Sequence, residues 1–291
     1  MHNGLLALTS LDADQLAQLE ELEQAVVDAD KIRIKLEMPT LRSRAVSTPH
    51  DYLWYDDNGK IVGFVGRYQF QPGVVELTGM VHPDHRRQGI FSKLLDSAQA
   101  QTRSEGDDQM LLVADRESDA AAAFADEREA AYHLSEFLMV RDPAEPRGPV
   151  IGAAPGVAVR PAQFADAQFV GECMHAAFGD LDSVPTIPDP ASLIDPERPT
   201  FVILQDEAQV GCVMVRLDED GQAFIYGLSV IPRMRGRGIG RAALGQLIAL
   251  LRNEGYEHLA LEVAAANERA LQLYTGCGFT TTSVMDYYIL S

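Results

Sequence analysis

The strongest chemical signal in the sequence is the run Arg235-Gly236-Arg237-Gly238-Ile239-Gly240-Arg241, which follows an apolar strand pattern and precedes an apolar helix pattern. A helix N-terminus presents unpaired N–H groups and a partial positive charge, and glycine lets the main chain approach an anion closely. Strand, glycine loop and helix in that order describe a pyrophosphate cradle. Four of the nine basic residues beyond Gly156 fall between 233 and 241 (Arg233, Arg235, Arg237, Arg241), a concentration that offsets the repulsion between a polyanion and an acidic domain. Taken alone, an R-x-G-x-G string describes an Arg/Gly-rich surface turn at least as well. Neither the Gly-x-Gly-x-x-Gly spacing of a dinucleotide fold nor the Gly-Lys-Ser/Thr ending of a nucleotide-triphosphate loop is present.

A second group of candidates lies downstream. In the strand pattern 259–263, Leu259, Leu261 and Val263 share one face, and Ala260 and Glu262 the other. A carboxylate within an apolar strand is costly unless paired or functional, so Glu262 reads either as a general base or as a strand-end residue reaching solvent or an arginine. In the helix pattern that follows, Asn267, Leu271 and Tyr274 share a face. Tyr274 is then either an acid placed beside the Asn267 amide or an ordinary core tyrosine. Cys277 has no histidine near it and reads as a packed small residue, and the seven histidines show no metal-ligand spacing.

The elements that must position these residues occur twice. Residues 81–95 and 230–244 match at an offset of 149, sharing Val81/Val230, Pro83/Pro232, Arg86/Arg235, Gly89/Gly238, Ile90/Ile239 and Leu95/Leu244. Each half predicts an early helix (12–28; 166–178), then strands (51–55 and 61–68; 201–204, 210–217 and 223–230), then the loop and an apolar helix. The second half adds a strand at 259–263, a helix at 267–274 and a closing strand pair, 279–282 and 284–290. The stretch 141–156 holds four prolines and three glycines and reads as a joint. The predicted organisation is a mixed α+β chain of two tandem domains, 1–142 and 157–291, linked by 143–156.

The loop, together with the run Asn267-x-x-Ala270-x-x-Leu273-Tyr274-x-x-x-Gly278-Phe279, resembles the GCN5-related N-acetyltransferase (GNAT) family. The resemblance covers both halves. The second half is most similar to the ribosomal-protein N-alpha-acetyltransferases, and the tandem layout with a divergent first copy resembles mycothiol synthases. It implies a mixed sheet with a splayed centre where a thioester lies between two strands, and acetyl-CoA as co-substrate with no metal. It places backbone of Leu228, Ser229 and Val230 on the pantetheine arm, the 235–241 loop (Arg235, Gly236, Arg237, Gly238, Ile239, Gly240, Arg241) on the pyrophosphate and Asn267 on the coenzyme. Glu262 becomes the base that takes a proton from an ammonium, Val230 N–H the donor to the oxyanion, and Tyr274 the acid that protonates the departing thiolate.

The first copy departs from this pattern. Phe91 stands where Gly240 does, Ala125 where Tyr274 does, and Glu129-Ala130 replaces Gly-Phe. Glu76 reads either as a base or as a solvent-facing strand residue. One working site is therefore expected, in the second half. The expected activity is acetyl transfer to a primary amine, of a small molecule or a peptide N-terminus; the alternative is a catalytically silent acyl-CoA-binding sensor or interaction module. The segments expected to choose the acceptor are 31–48 and 180–199. A net charge of −19, from 43 acidic and 24 basic residues, argues against nucleic acid or an anionic membrane as partner and suits a cation. Three scattered cysteines, no basic leader and no long apolar run point to a cytoplasmic setting.

Overall fold

A computed structural model describes residues 3–44, 46–71, 73–106, 109–144, 154–178, 187–218 and 221–290. Most of the joint at 143–156 and the start of the 180–199 segment lie outside the described residues. The chain forms two compact units: Met1–Ser135 with Ser283–Ser291, and Glu136–Thr282.

In unit 1, β1 (Gly4–Leu8), β2 (Asp51–Tyr55), β3 (Ile61–Gln71) and β4 (Val74–Val81) pair antiparallel in succession. Next, β4 runs parallel to β5 (Gln109–Asp115). The outer side of β5 is taken by the Met285–Leu290 part of β12 (Phe279–Leu290), antiparallel. The helices α1 (Ala13–Asp30), α2 (Met38–Ser43), α3 (Ile90–Glu105) and α4 (Asp119–Glu127) cover this sheet. Asp12 starts α1 with a capping box to Gln15, and Leu19, Leu22 and Val26 form its buried stripe.

Unit 2 repeats the plan. The strands β7 (Val157–Pro161), β8 (Thr200–Gln205), β9 (Ala208–Leu217) and β10 (Gln222–Val230) pair antiparallel, and β10 runs parallel to β11 (His258–Ala264). The outer side of β11 is taken by the Glu136–Arg141 part of β6 (Ala131–Arg141). The helices are α5 (Ala167–Phe178), α6 (Ile239–Asn253) and α7 (Glu268–Thr275). The face of α6 made by Leu244, Leu247, Ile248 and Leu251 is almost wholly buried against Val215, Ile225 and Leu261.

The mixed α+β class and the duplication match the sequence expectation, but the division of the chain differs from 1–142 and 157–291. The strand that follows α4 completes unit 2, and the strand that follows α7 completes unit 1. The expected closing strand pair is one strand: Thr282-Ser283 holds no Gly, Pro, Asn or Asp to reverse the chain, and the strand's two parts serve different units. Alternation along a strand says which face each residue takes, not which strand lies beside it, so pattern alone left this pairing open.

A fragment ending at residue 156 lacks Met285–Leu290, leaving an edge of β5 unpaired, a template for aggregation. Circular dichroism melting and light scattering should show no cooperative unfolding and association in residues 1–156; fusing 279–291 to that fragment should restore a cooperative melt. A monomeric, cooperatively melting 1–156 would contradict the pairing.

Candidate active site

In unit 2, β10 and β11 stay paired only from Gln222↔His258 to Phe224↔Ala260 and then part. The register of β10 against β9 shifts between Tyr226 and Ser229, with Gly227 in a left-handed conformation at φ 63°. Beyond this bulge the Ile231 N–H bonds Val210 O on β9 at 2.9 Å. Since successive strand residues point to opposite edges, the Val230 N–H faces the edge that β11 has left. The Val230 carbonyl is occupied: it accepts from Arg235 Nε at 2.8 Å, while an Arg235 amino group reaches Ala176 O at 3.4 Å. Arg235 is thus a brace joining strand end, loop and α5.

The Ser229 side chain turns away from the cleft into the core. Its Oγ lies 3.1 Å from Cys173 Sγ and 3.3 Å from Cys212 Sγ, and all three residues are buried. Hydrogen bonding with Cys212 and Ser229 lowers the Cys173 thiol, against the opposing effect of burial. The Cys212 thiol is pushed up by its bond to Cys173 and by burial. Sequence gave no hint of this cluster, since a bulge and a helix bring together cysteines far apart in the chain.

The loop is exposed over residues 235–238. Gly236 (φ 76°) and Gly238 (φ 78°) are both left-handed, and open space surrounds Gly236 where a Cβ would stand. Gly238 is the N-cap of α6 and has no side chain to accept from the first turn. Those N–H groups therefore remain for an external acceptor, the condition for anion binding at a helix start. Ile239 is buried, and Arg237 donates to Arg233 O at 3.3 Å. Arg241 lies over Gly276, where a Cβ would meet its guanidinium. Gly240 is small for a different reason than expected: a Cβ there would stand 3.1 Å from Leu273 Cδ1, so its bareness lets α6 approach α7.

The remaining candidates lie on β11 and α7. Glu262 is half-buried on β11, opposite Leu138 of β6. Asn267 caps α7, its Oδ1 accepting from Ala270 N at 3.2 Å, which leaves its amide NH2 as the donor end. Tyr274 is half-buried with its ring 6.2 Å from that of Phe279, and burial, then Cys277, push its phenol up to about 12. It holds its proton at neutral pH, as an acid must.

Unit 1 keeps the same frame around β4 and β5, whose last paired rung is Leu77↔Leu112. Arg86 Nε bonds Val81 O at 3.1 Å, the counterpart of the Arg235 brace, and its amino groups hold Asp30 at 3.0 and 2.7 Å. Arg87 (φ 62°) and Gly89 (φ 73°) reproduce the left-handed pair Gly236 and Gly238. Phe91 does not crowd the loop. It packs edge-on against Phe124 at 4.8 Å, as Gly240 packs against Leu273. Ser118 caps α4 as Asn267 caps α7.

The first copy also contains what the sequence reading missed: a cavity of about 410 Å³ lined by Thr78–Val81, the loop through Gly89, Leu112–Asp115 and Ala120, Ala121 and Ala123 of α4. At the 149-residue offset Tyr274 has Ala125 as its counterpart, a buried core residue outside the cavity lining. At the same offset Glu262 corresponds to Val113, and Glu76 lines a separate small void. Among the described residues, no three His, Cys, Asp or Glu side chains converge as a metal site, and no helix is long and apolar enough to cross a membrane.

A family model described as the acetyltransferase (GNAT) family matches residues 16–130 and 167–279, one copy in each half. The chain belongs to the GNAT acetyltransferase family. GNAT membership carries acetyl-CoA binding and acetyl transfer as the general activity of this chain. Across its length the chain is 28% identical to a mycothiol acetyltransferase of Stackebrandtia nassauensis, over 96% of each chain. It is 36% identical to the [ribosomal protein bS18]-alanine N-acetyltransferase of Escherichia coli K12, but over only 28% of this chain and 53% of that one. Its fold matches a GNAT structure from Sphaerobacter thermophilus with a TM-score of 0.81 at 17% identity, covering 98% of this chain and 95% of the other. A tandem GNAT protein of the clavulanic acid biosynthesis pathway matches with a TM-score of 0.74 at 17% identity, over 98% and 97%.

The two loop glycines are expected to behave differently on substitution. Gly240→Leu overpacks the α6–α7 contact, costing about 1–3 kcal/mol, with coenzyme affinity of the folded protein retained. Gly238→Asn, a residue that tolerates the left-handed backbone, keeps stability and places a side chain in the cradle. Calorimetry with CoA should show its affinity falling at least tenfold, whereas equal affinity in both variants would remove the loop from the binding site.

Proposed function

We propose that unit 2 transfers the acetyl group of acetyl-CoA to the primary amine of a small molecule. The observation that carries this reading is the parted β10–β11 pair, with an uncapped helix start at one end and Glu262 on the parted stretch of β11. In this reading the loop amides and Arg237 and Arg241 hold the pyrophosphate, Leu228–Val230 backbone aligns the pantetheine arm, and the Asn267 amide donates to the coenzyme. Arg235 and Ile239 act by positioning the loop. Glu262, directly or through water, takes a proton from the incoming ammonium. The free amine attacks the thioester carbonyl, Val230 N–H stabilises the oxyanion, and Tyr274 protonates the sulfur as the C–S bond breaks. A small acceptor is favoured over a peptide N-terminus because the mycothiol acetyltransferase match spans the whole chain, whereas the ribosomal-protein match spans part of one half. The acidic surface suits such a cation, and three free thiols suit a reducing, cytoplasmic setting.

A second reading concerns unit 1. Its cavity between the parted strands, next to an equally uncapped α3, supports a second acyl-CoA site in that half. There Ala125 supplies no acid and Val113 no base, so this site holds a coenzyme without turning over an external amine.

Tyr274→Phe should lower kcat by roughly 10²–10⁴-fold with little change in coenzyme affinity, and Glu262→Gln should lower it comparably and flatten the acidic limb of the pH profile. With the phenol raised from 10 to about 12, any alkaline limb due to Tyr274 lies above pH 10. Thiol release measured over an amine panel checks all three; normal turnover by Tyr274→Phe would overturn the assignment. Calorimetric titration with CoA should give two sites per chain, and one site would remove the second reading.

A further inference from the structure

We propose that Lys35 is an internal acyl acceptor, so that unit 1 passes the acyl group of its own bound thioester to the Lys35 amine. This rests on the second reading above, in which unit 1 holds acyl-CoA.

The geometry is that of an amine in an acceptor's place. Lys35 is 8% exposed and lines both the large cavity and a void of about 10 Å³, room for about one water. Thr78 and Val113 line both spaces with it, and they are the first residues beyond the last paired rung, Leu77↔Leu112. Lys35 therefore stands where the strands part. From Thr78 to Val81 the strand runs on toward the Gly89 loop, three residues or about 10 Å at the usual rise. A coenzyme with its phosphates on that loop and its arm along β4 points its acyl end at this gap. The segment carrying Lys35 is anchored, since Arg33 N–H bonds Asp115 Oδ2 at the end of β5 at 2.9 Å.

The amine also has an acid beside it. Lys35 Nζ donates to Tyr287 Oη at 2.6 Å, and Tyr287 lies on β12 directly opposite Val113. The repeat sharpens this. Glu262 and its cross-strand neighbour Leu138 in unit 2 correspond, at the 149-residue offset, to Val113 and Tyr287 in unit 1. Where unit 2 offers a carboxylate for an arriving amine, unit 1 has an apolar residue, a phenol and an amine already in place.

The step balances without oxidant or metal. One ammonium proton leaves toward Glu76, which lines the small void with Lys35. The Nζ–C bond forms at the thioester carbonyl, the C–S bond breaks, and a second nitrogen proton, relayed by Tyr287, ends on the CoA sulfur. The products are N-acyl-Lys35 and free CoA. One positive charge is lost from the cavity and the gap is filled.

The sequence supplies its own control, because it has only four lysines: Lys31, Lys35, Lys60 and Lys93. The other three are exposed and would react first in uncatalysed acylation. The full chain is incubated with isotope-labelled acetyl-CoA at neutral pH and mapped by peptide mass spectrometry, alongside Lys35→Arg, Tyr287→Phe and Gly89→Asn, with CoA stoichiometry by calorimetry. The expected result is label on Lys35 in preference to Lys31, Lys60 and Lys93, absent in Lys35→Arg, at least tenfold slower in Tyr287→Phe, and lost with the unit 1 coenzyme site in Gly89→Asn. Two CoA sites per chain with Lys35 unlabelled would overturn the proposal and leave the second reading standing. One site per chain, unaffected by Gly89→Asn, would overturn both. Label on Lys35 that survives the loss of the unit 1 site would also overturn it.

Discussion

Each unit is organised around two parallel strands that stop pairing halfway along. Buried backbone N–H and C=O groups are almost always satisfied, so strands that part must leave their free edges to a side chain, to water or to a ligand. In unit 2 the Arg235 guanidinium takes the Val230 carbonyl, leaving the adjacent N–H on the open edge. In unit 1 Arg86 does the same for Val81. The cleft, the loop at its mouth and the residues that ring it all follow from that interruption. It is held open in unit 2 by the β10 bulge, and it is bounded in each unit by a final strand from the other copy's sequence.

The duplicated frame carries different side chains at a few corresponding positions. At the loop's end, bare Gly240 against Leu273 becomes Phe91 against Phe124, so the helix contact survives with large side chains on both helices. On the cross-strand rung, Glu262 with Leu138 becomes Val113 with Tyr287, moving the polar group to the other strand. On the last helix, Tyr274 becomes the buried Ala125. The left-handed pair in the loop survives even where Arg87 replaces a glycine. A residue with a Cβ costs free energy in that conformation, and such strain persists where surrounding structure enforces it.

Electrostatics divides labour among the arginines. The excess of acidic side chains favours cationic partners and opposes a polyphosphate, so binding one requires local compensation. Arg235 and Arg86 do not supply it, because their guanidinium groups are committed to backbone carbonyls and, for Arg86, to Asp30. Arg237 also donates to a backbone carbonyl, that of Arg233, whereas the start of α6 has no side-chain cap.

From sequence alone came the duplication, the mixed fold, the strand–loop–helix order and the candidates Glu262, Asn267 and Tyr274. All of these are local: a glycine spacing, a helical face or a repeat offset is written in consecutive residues. Three things were decided only by tertiary structure. Which strand completes each sheet depends on pairing across more than a hundred residues, and alternation does not encode a partner. The reason for Gly240 lies in Leu273, a residue of another helix. The convergence of Lys35, Tyr287 and the parted strands in unit 1, like that of Cys173, Cys212 and Ser229 in unit 2, joins residues distant in the chain. No short-range periodicity links them, so only the folded backbone brings them within hydrogen-bonding distance.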